Sequence, residues 1–335
     1  MPTDRPSLAD VLAAAAVIRG KADATPLVPS QIPGLGQELL LKLECTQPMG
    51  AFKLRGALNA LAALPPAAPG VVCCSTGNHG RAVAYAARQQ GMRAVVCMSS
   101  LVPDAKVAGI RGLGAEVRIV GHSQDDAAAE SLRLVAAEGL VEIPPFDDAR
   151  VIAGQGTIGL ELVLARPDLE TLLVPLSGGG LAAGVALAGK SIAPRLRVIG
   201  ISMERGAAMQ ASLAAGHPVA ATEYPSLADS LGGGIGLRNR FTFAMCRDLL
   251  DDVVLVSETA IRDAMLALFH HDRMVAEGAS VVGLAAVMTG AVTLTGPTAT
   301  ILTGRNTDMT TFADLVAGRD LRIGDLFLKG ESHAA

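Results

Sequence analysis

Short apolar runs alternate with alanine-rich segments along most of this chain. The apolar runs have strand length and carry hydrophobic residues at consecutive positions, so both faces of each strand must be buried. Such strands are typical of parallel sheets covered by helices, and the alternation therefore predicts an α/β fold. The predicted strands are 39–43, 71–74, 94–98, 117–120, 172–176, 197–202 and 298–302, and the predicted helices are 51–64, 79–90, 104–113, 181–189 and 279–288.

Composition excludes several functional classes. The chain has 335 residues, half of them hydrophobic, which is enough for two lobes with buried cores. Its net charge is −4 and it has no cluster of basic residues, so neither nucleic acid nor a membrane surface is a predicted partner. The uncharged stretches 171–189 and 278–304 are interrupted by glycine and proline, which argues against membrane spans. Five cysteines without a C-x-x-C spacing indicate reduced thiols and a cytoplasmic location, and no metal is predicted.

A glycine-rich segment, Ser177–Leu181, follows a predicted strand and opens a predicted helix. Backbone N–H groups at such a junction, together with the positive end of the helix dipole, suit a phosphate. A second interpretation remains open on this segment alone. Gly178, Gly180 and Ala183 satisfy the dinucleotide fingerprint, and Glu204 follows the next strand where a ribose-binding acid would lie.

Two further segments carry candidate chemistry. Lys53 is one of only six lysines and lies at a turn that enters a helix, where a desolvated amine is nucleophilic. An ordinary solvated lysine is the alternative. The segment 75–80, with Asn78 at its centre, again follows a strand and opens a helix. It could bind a substrate carboxylate and donate to a phenolate oxygen, or it could be a simple helix cap.

Taken together, these segments resemble fold-type II pyridoxal-phosphate enzymes, the family of threonine and serine dehydratases and serine racemase. The motifs occur in the family's order and span nearly the whole chain. Four segments carry the resemblance, 50–56, 75–80, 177–181 and 303–306, and three support it, 145–148, 154–157 and 277–279.

The resemblance implies a tryptophan synthase β-like fold with two open, twisted, mostly parallel sheets flanked by helices. A small domain would comprise residues 56–147, and the large, cofactor-binding domain would comprise 1–55 and 148–335. Pyridoxal 5′-phosphate would lie between them, and the protein would form a homodimer.

The resemblance also assigns roles to individual residues. Lys53 would form the Schiff base and act as the base, Asn78 would bind the ring hydroxyl, and Thr303 would face the ring nitrogen. Thr76 would be the second catalytic residue. The implied cofactor contacts are Phe52, Lys53, Asn78, Ser177, Gly178, Gly179, Gly180, Leu181, Glu277 and Thr303, and the implied substrate contacts are Ser75, Thr76, Gly77, Asn78, His79 and Arg305.

The implied activity is elimination of water from a small β-hydroxy amino acid, giving a keto acid and ammonia. A racemase that uses Lys53 and Thr76 on opposite faces of the ring is the alternative. The segments 203–206 and 227–236 resemble the threonine-dehydratase-like proteins of hydroxyectoine utilisation. By that resemblance, the substrate would be hydroxyectoine or a hydroxylated diamino acid derived from it.

Overall fold

Two parallel-stranded sheets flanked by helices make up most of the computed structural model, which describes residues 4–35, 38–75, 77–102 and 104–330. The strands are β1 Leu27–Pro29, β2 Leu39–Lys42, β3 Val71–Cys74, β4 Ala94–Met98, β5 Glu116–Ile119, β6 Val141–Glu142, β7 Thr171–Pro175, β8 Arg197–Met203, β9 Asp252–Val256, β10 Thr298–Ile301, β11 Leu321–Ile323 and β12 Leu326–Leu328. The helices are α1 Leu8–Ile18, α2 Lys53–Ala62, α3 Asn78–Gln89, α4 Asp104–Gly112, α5 Gln124–Glu138, α6 Ala149–Ala165, α7 Gly180–Ile192, α8 Ala208–Ala215, α9 Thr242–Leu249, α10 Glu258–Ala267, α11 Val282–Met288 and α12 Met309–Val316.

The larger sheet has six strands in the order β1-β2-β10-β7-β8-β9, and all neighbours are parallel except β1 and β2. Its central strands are buried on both faces, as their continuous apolar sequences require. In β7, Leu173 contacts one hydrophobic cluster, whereas Leu172 and Val174 contact the cluster on the opposite face.

The smaller sheet, β5-β4-β3-β6, is parallel throughout. It divides its own side chains in the same way: Val71 and Cys73 contact one cluster, and Val72 contacts another. A separate antiparallel hairpin, β11-β12, completes the described sheets. The prediction of an α/β fold with two mostly parallel sheets is confirmed.

Local capping chemistry starts several helices. The Ser7 side chain accepts a hydrogen bond from Asp10 N at the start of α1, and Ser123 does the same for Asp126 N at the start of α5. Asp148 accepts from two backbone N–H groups at the start of α6. Each cap satisfies donors that the first helical turn would otherwise leave unpaired.

Two predicted helices begin later than expected. Residues 51–52 do not join α2, because Ala51 forms an antiparallel bridge with Gly304 and Phe52 N donates to Thr303 O at 2.9 Å. Residues 278–280 form a separate 3-10 turn before α11. Within the described residues, no helix is both long and apolar enough to cross a membrane.

Candidate active site

A cavity of about 350 Å³ opens beyond the carboxyl ends of β3, β7 and β10. The segments that follow these strands contribute Asn78, the glycine loop and Thr303, and Lys53 completes the wall. Carboxyl ends of parallel strands are the usual ligand site in α/β folds because the loops there converge. The sheets therefore bring four sequence-distant motifs to one place. The predicted cofactor contacts that line the cavity are Phe52, Lys53, Asn78, Ser177, Gly178, Gly179, Gly180, Leu181, Glu277 and Thr303.

Lys53 is the first residue of α2, and its Nζ donates to Pro145 O at 2.6 Å. Nζ also lies 5.4 Å from the centre of the Phe52 ring. Burial lowers the pKa of the Lys53 amine to about 8, and the negative charge of Glu277 opposes part of that shift. A larger fraction of neutral amine makes Lys53 a better nucleophile and base than a solvated lysine.

We expect the rate at which cofactor-free protein captures its cofactor to rise with pH through a midpoint of about 8, because only the neutral amine reacts. At pH 7.5 an amine with that pKa is neutral in about a quarter of molecules, against about one in a thousand for an ordinary lysine. Stopped-flow absorbance measures the rate. Glu277→Gln should lower the midpoint by removing the opposing charge, and a wild-type midpoint near 10.5 would contradict the account.

Asn78 is the first residue of α3 and is held on both ends of its amide. Its Nδ2 donates to Glu277 Oε1 and Oε2 at 2.8 and 3.0 Å, and its Oδ1 accepts from Asn306 Nδ2 at 2.7 Å. Glu277 is buried, which raises the pKa of its carboxyl to about 7. The Asn78 amide is therefore fixed in orientation, with its donor end toward the Glu277 carboxylate at the cavity wall.

The glycine loop packs so closely against other segments of the protein that side chains would not fit there. A Cβ at Gly178 would lie 2.3 Å from the Phe146 ring. Gly179 has a φ of +89°, and a Cβ there would come within 3.0 Å of Met209, Cys246 and Thr242. Glycine is thus required here by packing as well as by any ligand. The loop leads into α7, and the first residues of that helix, Gly180 and Leu181, line the cavity. First-turn N–H groups have no partner within their own helix, so an anion is a suitable ligand here.

Gly179→Ala is expected to lower the free energy of unfolding by about 2–4 kcal/mol, from left-handed backbone strain plus overpacking. Gly290→Ala is the matched control, because Gly290 also has a positive φ of 75° but no atom within 4 Å of the added Cβ. Urea denaturation of both variants isolates the crowding contribution. Equal losses of unfolding free energy in the two variants would contradict a contribution from crowding at Gly179.

Thr303 follows β10 and is buried at the cavity wall, with Oγ1 3.0 Å from Ser280 Oγ. The hydroxyl is a neutral group, and no described lysine, arginine or carboxylate hydrogen-bonds to it. A ring nitrogen placed against Thr303 would therefore meet a neutral hydroxyl.

The predicted substrate contacts divide into three groups. Ser75, Gly77, Asn78 and His79 line the cavity, Thr76 lies outside the described residues, and Arg305 does not line the described cavity. His79 is buried and its Nε2 lies 2.7 Å from Ile143 O, so its ring is engaged in structure. Burial, with a contribution from Lys53, lowers the pKa of His79 to about 3, which keeps the ring neutral. The Arg305 side chain is exposed, and a substrate contact there stays a prediction that this geometry does not favour.

Several cavity residues have no counterpart among the predicted site residues. Lys106, Glu223 and Asp229 line the cavity, as do residues 230–233. Asp229 and residues 230–233 fall within segment 227–236, which the sequence marked by its resemblance to proteins of hydroxyectoine utilisation, whereas Lys106 and Glu223 carried no such signal. Glu204, the acid of the dinucleotide interpretation, is exposed and is not part of this wall.

Comparison with known proteins decides between the two interpretations of the glycine loop. A profile of the family described as pyridoxal-phosphate dependent enzymes matches residues 18–304. The chain belongs to that family. The resemblance to fold-type II enzymes is thereby confirmed, with pyridoxal phosphate as the cofactor, and the nicotinamide interpretation is wrong.

Individual relatives narrow the similarity. The chain is 56% identical over 286 residues to a Sinorhizobium fredii protein provisionally named a threonine dehydratase, covering 84% of this chain and 86% of that protein. It is 40% identical over 277 residues to the catabolic L-threonine dehydratase TdcB of Escherichia coli, covering 81% and 84%. Among solved structures, maize serine racemase is similar with a TM-score of 0.87 and 33% identity, covering 93% of this chain and 97% of that one.

The described residues fit pyridoxal phosphate. One cavity holds an amine with a lowered pKa at Lys53 and a loop at 178–180 whose close packing leaves room only for glycine. The donor end of Asn78 and the neutral hydroxyl of Thr303 lie on the same cavity. An aldehyde, a phosphate and a pyridine ring thus each have a chemically suitable partner.

Proposed function

We propose that this chain is a pyridoxal-phosphate-dependent lyase that converts a small β-hydroxy amino acid into a keto acid and ammonia. The observation that carries the proposal is the placement of the low-pKa Lys53 amine on one cavity with Asn78, the glycine loop and Thr303. Similarity to threonine dehydratases over more than four fifths of the chain supports the same reaction.

When bound, pyridoxal phosphate supplies an aldehyde that captures the substrate amine and a ring that accepts electrons from the α-carbon. Lys53 would hold the cofactor through its Nζ, and, once freed by the substrate amine, that same amine would remove the proton from the substrate α-carbon. The substrate would then lose its β-hydroxyl as water. The released enamine would tautomerise to an imine, which water hydrolyses to the keto acid and ammonia. Overall, the β-hydroxy amino acid yields one keto acid and one ammonia, and the water lost is regained.

The remaining residues bind and orient. Backbone N–H groups of Gly178–Leu181 would hold the phosphate, and those at the start of α3 would hold the substrate carboxylate. Asn78, whose Nδ2 also donates to Glu277 Oε1 at 2.8 Å, would hold the ring hydroxyl. Phe52 and Phe146 line the cavity and exclude water from the reacting carbon.

For the substrate class, we propose hydroxyectoine or a hydroxylated diamino acid derived from it, alongside threonine-like substrates. The resemblance of segment 227–236 to proteins of hydroxyectoine utilisation supports this, since residues 229–233 lie on the cavity wall. The carboxylates of Glu223 and Asp229 on the same wall suit a second ammonium group on the substrate.

A racemase is the second candidate, supported by the similarity to maize serine racemase. It would need an acid on the face of the ring opposite Lys53, and Thr76, which lies outside the described residues, is the candidate. Incubating the protein with L-serine and analysing the residual substrate on a chiral column separates the two. Accumulating D-serine without keto acid would favour the racemase.

The test of the proposed lyase is release of ammonia and keto acid from a panel of threonine, serine, 3-hydroxyaspartate, and hydroxyectoine with its ring-opened products. Release from at least one member is expected. No release from any member by cofactor-loaded protein would contradict the proposal for these substrates.

We propose further that residues 56–147 form a small domain that closes over the substrate, with 1–55 and 148–335 as the large domain. The placement of β3 to β6 within the first range supports the division.

A cytoplasmic homodimer is proposed as well. The five free cysteines support a reducing compartment, and light scattering of the purified protein tests the dimer.

A further inference from the structure

Ser280 lies behind Thr303, outside the set of residues that line the cavity. It ends the 3-10 turn 278–280 and is completely buried. Its Oγ lies 2.7 Å from Gly304 N, 2.7 Å from Gly304 O and 3.0 Å from Thr303 Oγ1. One buried hydroxyl therefore contacts both backbone groups of the residue after Thr303 and the Thr303 side chain itself.

The Ser280 hydroxyl has only one proton to donate. Gly304 N–H donates to Ser280 Oγ, which leaves Ser280 one proton and two possible acceptors, Gly304 O and Thr303 Oγ1. Gly304 O also accepts from Glu277 N at 3.1 Å. Ser280 can therefore turn its proton toward Thr303 Oγ1 without leaving Gly304 O unpaired, because Glu277 N still donates to that oxygen.

We propose that Ser280 is a positioning residue that donates to Thr303 Oγ1 and so directs the Thr303 proton at the ring nitrogen of the cofactor. The inference rests on the proposed placement of that nitrogen against Thr303. Since Ser280 donates to a lone pair of Thr303 Oγ1, the Thr303 proton is free to be donated elsewhere. The ring nitrogen is the acceptor on the cavity side. Hydroxyls in such a chain polarise one another, which strengthens the terminal hydrogen bond.

This arrangement has a chemical consequence. A ring nitrogen that accepts a hydrogen bond from a neutral hydroxyl stays unprotonated, so the ring withdraws electrons less strongly. Prompt loss of a β-leaving group is then favoured over a long-lived carbanion. Ser280 thus acts on the reaction through Thr303 rather than by contact with substrate.

The test is a double-mutant cycle on cofactor affinity, measured by adding pyridoxal phosphate to cofactor-free wild type, Ser280→Ala, Thr303→Ala and the double variant. Ser280→Ala should weaken affinity about threefold to tenfold, the range for one lost hydrogen bond. In the Thr303→Ala background it should have no further effect. The ¹⁵N signal of ring-labelled cofactor should shift in Ser280→Ala toward its position in Thr303→Ala.

Ser212→Ala is the matched control. Ser212 is also fully buried, accepts from Val219 N at 3.1 Å and donates to Ala208 O at 2.8 Å, away from the cavity. It should lose stability while leaving cofactor affinity and the ¹⁵N signal unchanged.

A second variant keeps the proposal testable if Ser280→Ala does not fold. Ser280→Cys retains a weaker donor of similar size and should give intermediate affinity. Additive effects of the two alanine substitutions, or an unchanged ¹⁵N signal in Ser280→Ala or Ser280→Cys, would overturn the positioning role. Neither readout uses turnover, so this result is separate from success or failure of the lyase assay.

Discussion

Lys53→Ala is expected to lose the covalent link to the cofactor and to lower turnover by about 10³-fold or more, since one residue supplies both nucleophile and base. Among the described residues that line the cavity, Lys53 is the lysine whose Nζ donates to a backbone oxygen of the cavity wall, Pro145 O. Borohydride reduction followed by peptide mapping identifies the linked lysine, and keto-acid release measures turnover.

Lys106→Ala is the matched control for that experiment. Lys106 is the other lysine on the described cavity wall, but it is half exposed and lies 3.8 Å from Asp229 in an ion pair. Removing it should leave the covalent link at Lys53 intact. A reduced cofactor recovered on Lys106 instead of Lys53 would contradict the assignment.

Arg55→Met is expected to lower the free energy of unfolding by about 3–5 kcal/mol, because it leaves a buried carboxylate without its partner. Arg55 donates to both oxygens of Glu44 at 2.8 Å, and neither side chain is more than 1% exposed. It also donates to Glu161 at 2.6 and 2.9 Å. Since Arg55 lies two residues after Lys53, this network anchors the helix that carries the reactive amine.

The pH dependence of Arg55→Met gives an independent check. In wild type, burial pushes the pKa of Glu44 up, but the Arg55 charge and hydrogen bonds overcome this and hold it below its usual value. Without Arg55, burial would raise that pKa, so the folded variant would bind an extra proton and gain stability as pH falls. Arg93→Met is the control. Its pairs with Glu116 and Glu138 are exposed, and its loss should cost less than about 1 kcal/mol.

Much of the fold was predictable because the buried strands are apolar on both faces. Runs such as 94–98 and 172–176 leave few alternatives to a covered parallel strand, and the observed β4 and β7 match them within one residue. Short or half-exposed elements were not predictable in this way. The strand β6 has only two residues, and β9 runs from an exposed residue through three intermediate ones to a buried Val256, so neither gives a periodic signal.

The residues of the candidate site also differ in how well the sequence predicts them. Motifs that follow buried strands, such as the glycine loop and the Asn78 segment, were visible because strand, glycine and helix occur in sequence. Ser280 and Glu223 were not, because their relation to the cavity depends on contacts between segments far apart in the chain. Arg305 illustrates the converse case: its position two residues after Thr303 led to a predicted substrate contact, which stays a prediction, and its side chain is exposed outside the described cavity.

The most direct test of the lyase is a single reaction in which keto acid, ammonia and the chirality of residual substrate are all measured over time. Wild-type protein is compared with Lys53→Ala on each member of the panel. We expect keto acid and ammonia in equal amounts from at least one member, with the remaining substrate still the L-enantiomer and no product from the variant. A D-enantiomer that accumulates while keto acid stays absent would contradict the lyase and assign the site to racemisation.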